Sequence, residues 1–329
     1  MVKSLVTGGA GFIGSNLVDQ LVKKKHKVIV LDNFSTGRRS NLSHHTKKTV
    51  KVVKVDISNN KRLDKYFKGV DYVFHLAGIA DIVPSIENPN KYFKSNVVGT
   101  LNVVQAAKNS KIKKFIYAAS ASCYGLPEKF PIKENAKIKP MYPYAFTKWQ
   151  AEELIMHWTK IYNFPAISIR FFNAYGPRSR TSGAYGAVFG VFLAQKLANK
   201  PLTVVGNGNQ TRDFIHVYDL VNGIIKAALS NKVGKIYNIG AGKEVKVNKL
   251  TKLIGGKKVY IPKRPGEPSR SLADISKIKK DLNWKPKIKI EEGVKNLLNT
   301  IHYWKNAPVW TPKSIKKETR TWFKLLGEK

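Results

Sequence analysis

The chain has 329 residues, 43% of them hydrophobic, which is enough to bury a large core in one domain or in a domain with an added lobe. Its single cysteine, Cys123, excludes an internal disulfide and a multi-cysteine metal site, so we expect no metal and a reducing, cytoplasmic location. The net charge of +38 is spread over short lysine runs, without a basic tail or base-stacking aromatic residues. We therefore expect no nucleic acid as partner, and no membrane, because no apolar run approaches the roughly 20 residues that span a bilayer.

The first motif in the chain is a glycine-rich turn, TGGAGFIG, between a strand and a helix. Residues 3–7 predict the strand, and an apolar-periodic helix follows through about Leu21. Gly8 permits the tight turn, Gly11 lets the backbone approach a pyrophosphate, and Gly14 lets the helix pack closely against the strand. Because the chain enters this motif so early, we also expect no signal peptide. The cofactor-binding residues predicted here are Gly8, Gly11, Phe12, Ile13 and Gly14.

A carboxylate ends the second predicted strand, residues 27–31. Asp32 follows the glycine turn by about 20 residues, the spacing at which an acidic residue accepts hydrogen bonds from both ribose hydroxyls of NAD. The same carboxylate repels the 2′-phosphate of NADP, although Arg38 and Arg39 stand close enough in sequence to accommodate it. We predict NAD as the cofactor, with NADP and a turn that binds no dinucleotide as the open alternatives.

Strands and helices continue to alternate along the first half of the chain. Further strands are predicted at residues 50–55, 71–74, 114–119 and 166–170, and a long helix at residues 88–109. This alternation predicts an α/β fold with a doubly wound parallel (Rossmann) sheet, whose ligands lie at the carboxyl ends of the strands. We assign residues 1–175 to an NAD-binding domain, 176–304 to a smaller C-terminal α/β substrate lobe interleaved with it, and 305–329 to a helical tail.

Small or polar residues follow several of these strands, where a sheet of this kind binds its ligand. Asp56 and Ile57 end the third strand and are placed to meet an adenine edge. His75 ends the fourth strand, and we interpret it as a packed residue rather than as an acid or base. Further cofactor contacts are predicted at Asn33, Asp56, Ile57, Leu76, Ala77 and Asn96.

A tyrosine and a lysine stand four residues apart at the start of an amphipathic run, at Tyr144 and Lys148. On a helix, residues at this spacing share one face. A lysine ammonium beside a phenol favours the phenolate, so a tyrosine with an ordinary pKa of about 10 can act as a base nearer neutral pH. Ser120 leaves the fifth strand at the sheet edge that carries the glycine turn. The sequence therefore predicts a base beside the cofactor, so Tyr144 and Lys148 join the predicted cofactor-binding residues.

Ten motifs in order resemble the extended short-chain dehydrogenase/reductase family, in its nucleotide-sugar epimerase and dehydratase branch. Over about residues 2–304 they are TGGAGFIG, Asp32, Asp56-Ile57, HLAG, NVVGT, SASCYG, YPYAFTK, RFFNAYGPR, TRDFIHVYDL and RPGEPSRSLAD. The resemblance implies that Tyr144 is the base at the sugar 4-hydroxyl, that Lys148 holds the nicotinamide ribose and lowers the tyrosine pKa, and that Ser120 bonds the same sugar oxygen. It implies substrate contacts at Ser122, Asn173, Arg212, Arg264, Glu267 and Arg270. It also implies a UDP-linked sugar as substrate and a homodimer.

Two positions separate the reactions of this branch. Its 4,6-dehydratases carry an Asp-Glu pair directly after the catalytic Ser or Thr, and its UDP-glucuronate decarboxylases carry a glutamate two residues before the motif tyrosine. This chain has Ala121 and Ser122 there, and neither can do carboxylate acid/base work. The resemblance therefore favours a 4-epimerase of UDP-hexoses or UDP-N-acetylhexosamines, with a cell-surface polysaccharide as the expected destination. A decarboxylase or dehydratase of the same branch stays an alternative, as does a catalytically silent NAD-binding regulator.

Two stretches are harder to interpret. The small residues Gly183, Ala184, Gly186 and Ala187 are predicted to line the sugar pocket. Residues 310–326 carry a helix start signal and apolar side chains, which predicts one docked terminal helix outside the common pattern of the family. Its apolar residues are Ile315, Trp322, Phe323 and Leu326.

Overall fold

The computed structural model of the protein describes residues 1–59, 63–179 and 188–327, so the four small residues predicted to line the sugar pocket lie outside the described residues. Numbered in chain order, its strands are β1 (Lys3–Thr7), β2 (Lys27–Asp32), β3 (Val50–Lys54), β4 (Tyr72–His75), β5 (Lys114–Ser120), β6 (Ala166–Phe171), β7 (Asn173–Tyr175), β8 (Leu202–Val205), β9 (Thr211–Arg212), β10 (Phe214–His216), β11 (Lys235–Ile239), β12 (Val245–Lys246) and β13 (Lys258–Ile261).

Its helices are α1 (Phe12–Lys23), α2 (Asp64–Phe67), α3 (Ile82–Glu87), α4 (Pro89–Phe93), α5 (Gly99–Asn109), α6 (Pro143–Tyr162), α7 (Val188–Leu197), α8 (Val217–Leu229), α9 (Val247–Ile254), α10 (Ser276–Leu282), α11 (Ile290–Asn299), α12 (Pro312–Glu318) and α13 (Arg320–Leu326). Short 3₁₀ turns lie at Arg39–Leu42, Ala121–Tyr124 and Ile301–Trp304. None of the described helices is both long and apolar enough to cross a membrane.

The centre of the molecule is a parallel sheet of seven strands in the order β11-β6-β5-β4-β1-β2-β3. Neighbouring side chains of a strand point to opposite faces, so Leu5 and Val6 of β1 belong to two separate buried clusters. One cluster packs beneath α1 and α8 and the other beneath α5 and α6. Helices on both faces of a parallel sheet define the doubly wound fold that the sequence predicts, and this prediction is confirmed.

The seventh strand comes from the part of the chain that the sequence analysis assigned to the substrate lobe. Strand β11 pairs in parallel with β6, with Tyr237 beside Ile169, and it covers what would otherwise be an open sheet edge. The remaining lobe is built from three short strand pairs, β7 with β10, β8 with β13 and β9 with β12, around a third buried cluster. The two parts therefore share the central sheet.

Two predicted helices differ from the structure. The predicted helix 88–109 consists of α4, one π-helical turn at Lys94–Val98 and α5. The predicted terminal helix is a pair, α12 and α13, that meets at Thr319, whose hydroxyl donates to the carbonyl oxygen of Ile315 (2.8 Å). A threonine bonded back to its own helix in this way favours a bend. Phe323 is exposed, contrary to the prediction that it packs.

Candidate active site

The glycine turn after β1 forms the floor of the first cavity, which has a volume of about 350 Å³. Gly8 has a φ of +69°, and a Cβ added there would lie 2.7 Å from the backbone nitrogen of Ala77. A Cβ on Gly14 would lie 2.2 Å from the carbonyl oxygen of Gly8, so only glycine lets α1 begin this close to β1. The turn leaves its backbone open to the cavity at the start of α1, where N–H groups favour a phosphate.

Asp32 stands at the end of β2 on the wall of the same cavity. Its carboxylate accepts the N–H groups of Ala10 (2.9 Å) and Phe34 (2.8 Å), which fix its orientation. Burial raises the pKa of Asp32, and the two N–H bonds oppose that rise. Arg38 lines the cavity with its guanidinium 5.7 Å from the ring centre of Tyr303, whereas Arg39 lies over the ring of Phe34 at 4.4 Å.

Thirteen of the predicted cofactor residues line this one cavity, and Asn96 does not. Asn96 is 1% exposed and clasps the loop after β4, because its Oδ1 accepts the N–H of Ile79 (2.9 Å) and its Nδ2 donates to the carbonyl oxygen of Ile79 (3.1 Å). It also donates to Thr147 Oγ1 (3.1 Å) on α6. It sits in the π-helical turn, a feature frequent at functional sites. The structure thus makes Asn96 a support for the loop rather than a cavity wall.

Tyr144 and Lys148 lie on the first two turns of α6 and line the same cavity as the glycine turn. The Tyr144 hydroxyl donates to Ser120 Oγ at 3.2 Å, and Ser120 Oγ is 2.8 Å from Ser122 Oγ. The Lys148 ammonium lies 4.3 Å from the ring centre of Tyr117. Ser120, Ser122, Tyr144 and Lys148 are therefore brought together as the sequence predicts.

Burial shapes the acid–base behaviour of this group. It lowers the pKa of Lys148 to about 7, although the carboxylate of Glu152 opposes the shift. It raises the pKa of Tyr144, against a hydrogen bond to Ser120 that lowers it. The lowered pKa of Lys148 and the raised pKa of Tyr144 both disfavour a charged ammonium beside a phenolate. The protein alone therefore does not produce the phenolate expected from the sequence.

His75 is packed, as the sequence analysis expects. Its side chain is fully buried at the end of β4, with Nδ1 2.7 Å from Thr7 Oγ1 and Nε2 2.8 Å from Thr100 Oγ1. Burial, followed by the charge of Lys148, lowers its pKa to about 3. A neutral imidazole held between two hydroxyls ties β1, β4 and α5 together just behind the cavity.

A second cavity in the substrate lobe contains Arg212 and Glu267, with Lys263, Asn207 and Gln210 beside them. Arg212 Nη2 donates to Glu267 Oε1 at 2.8 Å, and Arg264 Nη1 lies 4.0 Å from Glu267 Oε2. Three predicted substrate residues thus form one ion-pair group. A cavity lined by the guanidinium group of Arg212 and by Lys263, with Arg264 next to Glu267, suits an anionic ligand.

Two predicted substrate residues stand apart from this group. Arg270 forms a two-bond ion pair with Glu244 (2.7 and 2.8 Å) and is exposed, so the structure gives it a protein partner outside the cavity. Asn173 is exposed on β7, next to Phe214 of β10 in register. Neither placement follows from the linear motif, because the partner of each residue comes from a distant segment.

Several residues that the sequence analysis did not single out also line the first cavity. Three of them, Tyr303, Arg178 and Asn41, are joined by hydrogen bonds. Arg178 Nη1 donates to the carbonyl oxygen of Asn41 (2.9 Å), and the Tyr303 hydroxyl donates to Asn41 Oδ1 (3.3 Å). Asp81 lines it just before α3, and its charge contributes to the raised pKa of Tyr144. No local pattern marks Asp81 or Tyr303; Arg178 alone belongs to a motif, RFFNAYGPR.

Asp19, His44 and His45 form a group outside the cavities whose possible ligand atoms lie within 4.8 Å of one another. Both imidazole Nε2 atoms lie close to the same oxygen of Asp19 (2.9 and 2.8 Å), and Arg178 donates to its other oxygen. Because these bonds and the guanidinium charge already account for the arrangement, we assign no metal to it. The absence of a metal stays a prediction.

The sequence profile of the NAD dependent epimerase/dehydratase family matches residues 4–240. The chain belongs to this family. Among curated proteins, this family member is similar to a putative UDP-glucose 4-epimerase of Methanocaldococcus jannaschii, with 38% identity over 304 residues that cover 90% of this chain and 97% of the relative. It is also similar to UDP-glucuronic acid decarboxylase 1 of Xenopus tropicalis, with 34% identity over 92% of this chain and 72% of the relative.

Two solved structures show how far the likeness of this family member extends in three dimensions. One is the UDP-N-acetylglucosamine 4-epimerase of Methanobrevibacter ruminantium in complex with UDP-N-acetylmuramic acid, with a TM-score of 0.86 and 33% identity over 91% of this chain and 99% of that one. The other is the UDP-glucuronic acid 4-epimerase of Bacillus cereus in complex with UDP-glucuronic acid and NAD, with a TM-score of 0.85 and 31% identity over 92% and 99%.

NAD is the cofactor of this family member, which confirms the prediction made from the sequence. The residues present fit it. The glycine turn leaves no room for a Cβ at Gly8 or Gly14 where the backbone faces the cavity, and Asp32 presents a carboxylate at the end of the neighbouring strand. In the family arrangement the turn holds the pyrophosphate and the carboxylate holds the adenosine ribose.

Proposed function

We propose that the protein is an NAD-dependent UDP-sugar 4-epimerase that acts on UDP-hexoses or UDP-N-acetylhexosamines. The observation that carries the proposal is the placement of Tyr144 against Ser120, with Ser122 as the nearest side chain to Ser120. Tyr144 and Ser120 can share a sugar hydroxyl between them. The position that would need a carboxylate for elimination or decarboxylation presents a hydroxyl instead.

The proposed reaction needs only one protein acid/base. Tyr144 removes the proton of the sugar 4-hydroxyl while the hydride on C4 departs, leaving a 4-keto sugar, and the same tyrosine returns the proton after the sugar has turned. NAD, when bound, accepts and returns that hydride, and its positive ring favours the phenolate. Ser120 donates to the sugar oxygen, and Lys148 binds the nicotinamide ribose and favours the phenolate in its charged form.

The proposed UDP group would occupy the second cavity. Arg212 and Arg264 supply charge for a diphosphate, and both are held by Glu267. Guanidinium groups match phosphate oxygens in geometry as well as in charge. The proposal therefore names the side chains of this chain that would bind the diphosphate of a nucleotide sugar.

The test is incubation of the purified protein with UDP-glucose, UDP-N-acetylglucosamine and UDP-glucuronate in separate reactions. We expect the C4 epimer of one or both of the first two sugars to form until equilibrium is reached. Carbon dioxide from UDP-glucuronate, as the similarity to a decarboxylase would predict, or a stable 4-keto-6-deoxy sugar would refute the epimerase. Mass analysis of nucleotides released on denaturation adds a second measurement, since the proposal predicts NAD and UDP.

We further propose that the protein forms a homodimer through the helices α5 and α6, which pack beside each other. Four large apolar side chains on this pair and on α4 are exposed: Phe93, Leu101, Phe146 and Ile161. A second copy would cover them, because large exposed apolar side chains on neighbouring helices favour association. Light scattering at micromolar concentration should give twice the chain mass, and Leu101→Lys should shift it toward the monomer; a monomeric wild type would refute the dimer.

A further inference from the structure

We propose that the C-terminal helix pair, α12 and α13, positions the substrate loop of the second cavity, and that Trp322 is the positioning residue. The substrate loop is the segment between β13 and Arg270, residues 262–269. This inference rests on the proposed function, because it assigns a purpose to a loop that carries the predicted substrate residues Arg264 and Glu267. Trp322 itself does not line the second cavity.

The substrate loop cannot fix itself by backbone hydrogen bonds. Its sequence, PKRPGEPS, contains three prolines, and each removes a backbone donor. Within the loop, the N–H of Glu267 donates to the carbonyl oxygen of Arg264 over a long distance of 3.4 Å. The loop turns at Gly266, which has a φ of +67°. The backbone anchors the loop near its end, where the carbonyl oxygen of Ser269 accepts the N–H of Thr211 (3.0 Å). The position of the turn at Gly266 therefore depends on contacts made by side chains from elsewhere.

Trp322 supplies two of those contacts. It is 1% exposed, its Nε1–H donates to the carbonyl oxygen of Pro265 (2.8 Å), and the guanidinium carbon of Arg264 lies 5.6 Å from its ring centre. Arg264 faces Glu267, which in turn bonds Arg212. One continuous series of contacts therefore runs from the tail to the residues that line the cavity.

The helix pair contacts both the substrate lobe and the part of the molecule that holds the NAD cleft. On the lobe side, Ile315 packs with Ile261 at the end of β13, and Gln195 donates to the carbonyl oxygen of Trp310 (2.7 Å). On the cofactor side, Thr321 donates to Glu87 of α3 (2.9 Å). Helix α3 begins directly after Asp81, which lines the first cavity. The tail thus links the substrate loop to the wall of the NAD cleft.

The experiment compares Trp322→Leu and Trp322→Phe with the matched control Lys324→Ala, whose side chain is exposed on the same helix. Hydrogen exchange of residues 262–269 and steady-state kinetics with the UDP-sugar are measured for each. Trp322→Leu should speed exchange in the loop and raise KM by about 3- to 30-fold, as expected for loss of a cation–π contact and a hydrogen bond. The kcat should stay within about twofold, because Tyr144 and Ser120 are untouched. Trp322→Phe, which keeps a ring, should fall between Trp322→Leu and the control.

The outcomes separate this inference from the proposed function. Unchanged loop exchange in a folded Trp322→Leu overturns the positioning role, and so does faster exchange with an unchanged KM. If the wild type turns over no UDP-sugar, the proposed function fails, and the exchange data alone decide whether Trp322 holds the loop. If Trp322→Leu does not fold, Trp322→Phe decides the question, because it removes only the Nε1–H bond and part of the ring.

Discussion

Tyr144 is the residue on which the proposed chemistry depends. Replacing it with Phe removes the hydroxyl that bonds Ser120 and leaves the helix and cavity otherwise intact. We expect kcat to fall by about 10²- to 10⁴-fold, the usual contribution of a positioned acid/base, while bound NAD is retained. The measurement is initial rate together with NAD content after denaturation, with the exposed Tyr260→Phe as control. Substantial remaining activity would mean that another group, such as Asp81 on the wall of the same cavity, is the base.

The buried His75 should make the stability of the folded protein depend on pH. Its folded pKa of about 3 lies below the ordinary 6.5, so the unfolded chain binds a proton that the folded chain rejects. The folded state should therefore lose about 1.4 kcal/mol per pH unit from this residue as pH falls from about 6.5 toward 3. His75→Gln can bond Thr7 and Thr100 but does not titrate. Its Tm should fall less steeply than that of the wild type between pH 6.5 and 4.5; parallel curves would contradict this.

At the scale of elements, the junction of β1 and α1 shows how a turn determines cofactor binding. Gly14→Ala places a Cβ 2.2 Å from the Gly8 carbonyl oxygen, whereas Gly11→Ala places one at a milder 3.2 Å. We expect Gly14→Ala to lose about 1–3 kcal/mol of stability together with bound NAD. Gly11→Ala should fold nearly normally and still bind NAD less tightly, because its methyl group enters the cavity. Thermal unfolding and NAD content distinguish the two, and equal behaviour would refute the steric account.

The π-helical turn before α5 helps to fix the geometry around the candidate active site. It carries Asn96, whose three hydrogen bonds join the loop after β4 to α6. Since that loop leads to Asp81 and α6 carries Tyr144, the turn sets the distance between two walls of the NAD cleft. The sequence analysis predicted one regular helix over residues 88–109. The spacing of apolar residues does not reveal that one turn of this helix contains an extra residue.

At the scale of the whole molecule, the charge of +38 predicts how the proposed substrate reaches the protein. A UDP-sugar is an anion, and a positive field raises the rate at which it reaches the protein. Increasing NaCl from about 0.02 to about 0.5 M shortens the Debye length to a few ångströms, so kcat/KM should fall severalfold while kcat changes little. Steady-state kinetics at both salt concentrations test this. Salt-sensitive retention of DNA without any turnover would instead favour a nucleic-acid-binding protein.

Short-range patterns in the sequence were sufficient to predict six strands of the central sheet and the NAD turn. Strand periodicity, the glycine spacing and the carboxylate at Asp32 depend on residues within about 30 positions of one another, the length of one βαβ unit. The pairing of Tyr144 with Lys148 has the same origin, since helical spacing places them on one face. Each of these features is encoded by residues that are close together in the sequence, so each can be predicted from the sequence alone.

Only the tertiary structure decided the contacts between distant segments. The seventh strand, β11, joins the sheet from the far half of the chain, and Tyr303 reaches Asn41 across 262 positions. The burial that raises the pKa of Tyr144 and lowers that of Lys148 likewise depends on what the whole chain packs around them. The docking of Trp322 on the substrate loop belongs to the same class. Such contacts arise when packing brings unrelated surfaces together, and no local periodicity encodes which surfaces will meet.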